Sequence, residues 1–260
     1  MNKRGQVTIF ILLGLLIIAI IGLIYFLRQP NTDITNIIPT RTVSLKDSLN
    51  DCLKKTSNEG LILIGKQGGD INPNFYLNYC NKETCDQVAY LCYVDGYNSC
   101  TNLRPFLDEH IKDELKQYVE RNIKSCINLD NWRNIGYEVN EGNDVNVNVE
   151  IGERNVLVLM DYDITITKDQ VSQNENKFSQ SLPLPIGLIT QTTKDIVASE
   201  IARGDFFDQP FYIKHRGEIV VVKTFVGDSK IYEIKIRDLN DPLDYVPYEF
   251  KFAIKSWVTS

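Results

Sequence analysis

The sequence predicts an α+β protein: a single N-terminal transmembrane helix, a disulfide-braced helical segment, and an antiparallel sheet of about five strands with helices on one side. Three observations carry this. Val7–Leu27 contains no charged side chain. All six cysteines (Cys52, Cys80, Cys85, Cys92, Cys100 and Cys126) lie in one stretch. After residue 136, apolar residues recur at every second position. The chain divides accordingly into an anchor (1–28), a linker (29–43), a Cys-rich helical segment (44–136) and a β-rich segment (137–260), the last two forming one ectodomain.

At about 1.5 Å per residue, Val7–Leu27 is about 31 Å long, matching a hydrocarbon core about 30 Å thick. It is longer than the apolar part of an ordinary secretory signal, and Tyr25-Phe26-Leu27-Arg28-Gln29-Pro30 offers no small-residue cleavage site. Lys3 and Arg4 precede the run and only Arg28 follows it closely. The positive-inside rule then puts the N-terminus in the cytoplasm and residues 29–260 outside the cell membrane. The linker, QPNTDITNIIPTR from Gln29 to Arg41, is polar and holds two prolines.

Ser44 with Asp47 three residues later resembles a capping box. Leu45, Leu49, Cys52, Leu53 and Thr56 follow at helical spacing, and Gly60 marks the expected end of this helix. Leu61–Ile64 reads as a short buried strand before a tight Gly68-Gly69 turn. From Asn72 to Asn102 aliphatic residues are few, so disulfides are expected to substitute for core. Phe106–Ile127 is the clearest helix, with Leu107, Ile111, Leu115, Tyr118, Asn122 and Cys126 on one stripe and Val119 and Ile123 beside it. Cys52 and Cys126 each fall late in an amphipathic helix. The two helices are expected to pack, and a Cys52–Cys126 bond is one arrangement among several that the spacing leaves open.

Val145, Val147, Val149 and Ile151 alternate with polar residues, as do Val156, Val158, Met160, Tyr162, Ile164 and Ile166. Gly152-Glu153-Arg154-Asn155 between them completes a hairpin with one buried and one wet face. A helix over 188–202, a hairpin joining 218–226 to 230–237 through Gly227-Asp228-Ser229, and a last strand from Tyr248 to Ile254 complete the expectation.

Lys3-Arg4-Gly5-Gln6 followed directly by an apolar run resembles the class III signal peptide of archaeal type IV pilins and archaellins. The resemblance implies cleavage between Gly5 and Gln6, with the hydrophobic helix retained on the mature protein. Gln6-Val7-Thr8-Ile9 fits that family's mature start, but Phe10 stands where a glutamate is usual. Arg28-Gln29-Pro30 also ends the helix where pilin helices run on into the head domain. The start "KRGQVTIF", the "GKQGG" turn after a cysteine-bearing helix, and the terminal "PYEFKFA" strand resemble a group of archaeal membrane-anchored surface proteins. That likeness bears on topology alone.

Formal net charge is −6, and beyond residue 28 it is 25 basic against 34 acidic groups, or −9. An acidic body of this kind does not suit nucleic acid, whose phosphates need a cationic face. The cysteines form no C-x-x-C pair and the two histidines, His110 and His215, are far apart, so a zinc site is not expected; nor is any cofactor. An even cysteine count within one segment reads instead as disulfides. Gly65-Lys66-Gln67-Gly68-Gly69 has its lysine ahead of the glycine pair, which does not match a phosphate loop. No G-x-S-x-G or H-E-x-x-H motif occurs. Asp161 and Asp163 share a strand face and read as solvated, and both histidines read as surface residues. Tyr76, Tyr79, Tyr90, Tyr93 and Tyr97 are candidate binding residues, though rings packed around disulfides are the favoured reading. No N-x-[ST] sequon occurs. The expectation is a surface protein with a structural or interaction role and no enzymatic activity. The alternatives are a pilin-like subunit polymerising through its N-terminal helix and a membrane-tethered hydrolase.

Overall fold

A computed structural model describes residues 44–80, 84–94, 96, 99–207, 210–211, 218–237 and 245–256. The expected span at Val7–Leu27, the processing site Gly5–Gln6, the linker, Tyr97 and His215 lie outside these. No helix among the described residues is long and apolar enough to cross a membrane.

Helix α1 (Leu45–Lys66) opens the described chain. Leu45, Leu49, Leu53, Leu61 and Ile64 form its buried face, with Thr56, Ser57, Gly60 and Gly65 at the tightest contacts. Ser44 is its N-cap, but the hydroxyl makes no capping bond; the Ser44 carbonyl accepts the Ser48 N–H at 3.0 Å instead. The capping-box expectation is therefore wrong in its chemistry, though right about where the helix starts. The expected stop at Gly60 and the strand over 61–64 are also overturned, since the helix runs straight through both. Gly60 is a contact residue. A Cβ there would lie 2.7 Å from the Tyr118 ring and 2.9 Å from Leu115 Cδ1, so its missing side chain lets the second helix approach. The real stop comes at Gly68 and Gly69, whose φ of +74° and +102° no helix can continue.

The next stretch is a β-region where sequence spacing suggested only a disulfide-braced segment. Strands β1 (Tyr76–Cys80) and β2 (Cys85–Tyr93) form a hairpin closed by Cys80–Cys85, and the two-residue β3 (Thr101–Asn102) pairs the end of β2. Cys92–Cys100 ties β2 to the chain entering β3. Helix α2 (Leu107–Cys126) follows. Its buried line is Leu107, Ile111, Leu115, Val119 and Ile123. Each step of four advances about 40° around a 3.6-residue turn, so the buried line slants across the helix and passes through Val119 and Ile123 rather than Tyr118, Asn122 and Cys126. The Cys52–Cys126 bond joins α1 to α2 with Cα atoms 5.6 Å apart.

After the short α3 (Asp130–Asn134) come β4 (Glu138–Glu141), β5 (Asn146–Ile151), β6 (Val156–Lys168) and β7 (Val171–Leu182), an antiparallel four-stranded sheet with β6 paired to all three others. The alternation of β5 and β6 is as expected: Val147 and Val149, then Val156 through Ile166 at every second position, are buried. Helix α4 (Ile186–Arg203) leads to β8 (Ile219–Val226), β9 (Ser229–Arg237) and β10 (Tyr245–Lys255). These strands join β2, β1 and β3 in a second, six-stranded sheet in which β2 and β10 run parallel. The fold is α+β with disulfides, as expected, but a single antiparallel sheet of about five strands is wrong: ten described strands form two sheets, one of them mixed. The expected arrangement of helices on one side fails too, because α1 contacts β6 and β7 of one sheet and β2 and β10 of the other. One apolar core joins Leu49 and Ile64 of α1, Leu115 of α2, Met160 of β6 and Phe250 and Phe252 of β10.

A Cβ on Gly65 would lie 2.4 Å from the Glu249 carbonyl oxygen, a backbone atom of β10 that cannot step aside. Alanine gains about 1 kcal/mol of helix propensity over glycine, but forced overpacking costs about 1–3 kcal/mol or more. Gly65→Ala is therefore expected to lower the urea midpoint, by a net loss of about 1–2 kcal/mol; an unchanged or raised midpoint contradicts the close approach. Cys52–Cys126 closes a loop of sequence separation 74. Replacing both cysteines with serine should cost about 4 kcal/mol in equilibrium unfolding, and a loss under about 1 kcal/mol would show that the noncovalent helix contacts suffice.

Candidate functional site

The turn that ends α1 delivers Asp70 into the protein. Gly68 packs its backbone against Ala89 of β2, and the Ala89 N–H donates to the Gln67 carbonyl at 3.2 Å. Asp70 follows, 5% exposed. The first turns of α2 carry His110 and Glu114, four residues apart and so on one helical face. His110 Nε2 lies 2.5 Å from Asp70 Oδ1. The Glu114 carboxylate accepts the Ile71 N–H at 2.8 Å. Arg104 arrives from the loop between β3 and α2, held by its own N–H to Asn102 Oδ1 at 2.9 Å. Its Nη2 reaches both Asp70 oxygens at 3.2 and 3.3 Å. Potential ligand atoms of Asp70, His110 and Glu114 all lie within 4.8 Å of one another.

Burial pushes the Asp70 carboxyl upward, but the hydrogen bond from His110 and the charge of Arg104 outweigh it and hold the group below the usual carboxylate range. Asp70 is thus an ionised buried carboxylate in neutral solution. A His–Asp pair can serve as a general base when it faces a nucleophile. Among the described residues no hydroxyl or thiol is hydrogen-bonded to His110, so that step has no partner. What the cluster does offer is one nitrogen and two carboxylates converging at a partly exposed place. Reading His110 as an ordinary surface residue missed this. The available signal was His110 and Glu114 at i, i+4 on a strongly patterned helix; the third member lies 40 residues earlier in the chain.

The other candidates are dispersed. Asp161 and Asp163 are both exposed on β6. Tyr90 is buried, with its hydroxyl 3.0 Å from Ser229 Oγ, and Tyr79 and Tyr93 pack around the small second core of Val88, Tyr90 and Ala253. Tyr93 also lies under Lys255. Phe75, which sequence reasoning did not select, packs with its ring tilted 5.0 Å from that of Tyr90 and edge-on 4.8 Å from that of Tyr93, yet remains half exposed beside the exposed Tyr76. A second ionic cluster lies where α4 meets β9. Lys230 Nζ donates to both Glu200 oxygens at 3.0 Å and to the Gly204 carbonyl at 2.5 Å, and Tyr232 donates to Glu200. Glu200 is wholly buried with its oxygens occupied. This is a lock on the helix C-terminus, where a cation meets the exposed carbonyls. A cleft of about 220 Å³ at the N-terminal turns of α2 and α4 is lined by Asp108, Glu109, Lys112, Glu153 and Gln191, with Asp108 already paired to Lys194.

Asp70 ionises more readily folded than unfolded. Its contribution is therefore complete above the unfolded carboxylate value and is lost as pH falls through the lower folded one. Wild type should exceed Asp70→Asn in unfolding free energy by about 1–3 kcal/mol at neutral pH, and the gap should narrow below about pH 4. Urea titrations at several pH values measure it; a gap constant down to about pH 3 would contradict the assignment.

No family model, curated protein or solved structure matches the chain.

Proposed function

We propose that the chain is a membrane-anchored extracytoplasmic surface protein with a structural or interaction role in the cell envelope, adhesion or attachment. Val7–Leu27 holds it in the cell membrane with its N-terminus cytoplasmic, and the folded residues lie outside. The observation that carries the reading is the cysteine pairing: Cys52–Cys126, Cys80–Cys85 and Cys92–Cys100 account for all six, and no thiol is free. Such pairing is stable in oxidising compartments and rare where glutathione and thioredoxin keep thiols reduced. The orientation from Lys3 and Arg4 uses different residues and agrees with it.

An interaction role suits the polar chemistry better than catalysis does. The Glu200–Lys230 cluster is closed to solvent, and His110 meets an acid rather than a nucleophile. Phe75 and Tyr76 supply exposed aromatic contact area for a protein partner or a second copy.

External protease on intact cells, followed by sequencing of the mature N-terminus, tests this reading. Digestion of the folded segment without lysis, with a mature start at Met1, Asn2 or Gln6, is the expected result. A segment protected until lysis, or a mature start beyond residue 28, would refute the anchored surface placement. A Gln6 start together with surface filaments containing the chain would favour the pilin-like subunit.

A further inference from the structure

We infer that Asp70, His110 and Glu114 form a binding site for a divalent first-row transition ion, with zinc as the representative case. The donor set is an imidazole nitrogen and two carboxylates, a mixture suited to zinc and its neighbours in the series. Three protein ligands with the remaining coordination filled by water is the pattern of an open site. Their ligand atoms already lie within 4.8 Å of one another. Bonds of about 2.0–2.2 Å to a common centre place ligand atoms about 3.3 Å apart. The 2.5 Å contact between His110 Nε2 and Asp70 Oδ1 therefore has to open by less than about 1 Å, which side-chain rotation supplies.

The surroundings are those of a supported site. Metal-ligating side chains are commonly oriented by outer hydrogen bonds. Here Arg104 holds the Asp70 carboxylate and the Ile71 N–H holds Glu114. His110 and Glu114 sit on a helix fixed by the Cys52–Cys126 bond, and Asp70 on a turn fixed by Gly68 and β2. Asp70 is largely buried while His110 is part-exposed, which gives the ion a way in. On binding, the ion takes the place of the proton on His110 Nε2, and the neutral imidazole carries its proton on Nδ1. Arg104 remains on Asp70 as a counter-charge. It lowers affinity relative to a shell without it and leaves the occupied site with a single net positive charge. All cysteines are in disulfides, so no thiolate competes for the ion.

The test is calorimetric titration of zinc chloride into the tag-free full chain in detergent at neutral pH, alongside His110→Ala, Glu114→Gln and His215→Ala. Glu114→Gln keeps an acceptor for the Ile71 N–H while removing the carboxylate, so it should fold even if His110→Ala does not. Circular dichroism and resistance to reduction report folding for each. Wild type and His215→Ala should bind one ion per chain, and His110→Ala and Glu114→Gln should bind at least tenfold more weakly. Absorption of the cobalt(II)-loaded wild type should show nitrogen–oxygen ligation that Glu114→Gln alters. Absence of wild-type binding at millimolar zinc, or binding that folded Glu114→Gln leaves unchanged, would overturn the site and leave Asp70–His110 as an ion pair. Neither outcome bears on the membrane placement, which rests on other residues.

Discussion

The cross-linked pair α1–α2 is the constraint on which the rest of the described fold depends. Gly60 brings the helices together by presenting bare backbone to Tyr118 and Leu115, and Cys52–Cys126 fixes the contact covalently. Gly65, one and a half turns later, brings α1 equally close to the backbone of β10. With one helix held against its partner helix and against a central strand, its remaining face is set, and β6 and β7 pack onto it. The parallel pairing of β2 with β10 then brings an early strand into the same sheet as the last.

Charges inside this fold sit at junctions. Asp70 joins the end of α1 to the start of α2 through His110 and Arg104. Glu200 joins the end of α4 to β9 through Lys230 and Tyr232. Lys251 on β10 pairs with Glu249 at 2.7 Å and with Asp86 of β2 at 3.4 Å. Burying ions is costly unless each finds partners, and the net gain over apolar packing is small or negative. Their value lies in the penalty for misplacement: a helix end shifted by one residue leaves a charge unpaired. The two clusters differ in access. Glu200 is sealed, whereas His110 is part-exposed.

Much of the fold was legible where one physical rule dominated. The alternation from Val145 to Ile166 survives because one sheet face is buried and the other wet. The α2 stripe was legible from Leu107 to Leu115 for the same kind of reason, while its second half runs through Val119 and Ile123. The end of α1 was not, because Gly60 and Gly65 look like helix stops and are contact glycines; only packing against Tyr118 and Glu249 tells the two apart. Strand β7 was not legible either. VSQNENKFSQSL buries only Phe178 and Leu182, and it holds its place by hydrogen bonding to β6 across a turn where Asp169 and Gln170 take positive φ. That primed-turn geometry usually announces itself through Asn or Gly. The site was half visible: His110 and Glu114 share a helical face by spacing alone, but Asp70 joins them only through the glycine turn. The Cys52–Cys126 bond was one of several open pairings, and its local symmetry was the correct guide.

The placement of this domain and the integrity of its helix pair meet in the redox state of its cysteines. An oxidised α1–α2 pair stabilises the fold, and the same oxidised state argues for a location beyond the cytoplasm. The most direct measurement is thiol trapping. Living cells are quenched with an alkylating reagent under denaturing conditions, and the chain is analysed by mass spectrometry before and after reduction. The account predicts no alkylated cysteine before reduction and a Cys52 peptide linked to the Cys126 peptide. Alkylated Cys52 and Cys126 in the unreduced sample would contradict it.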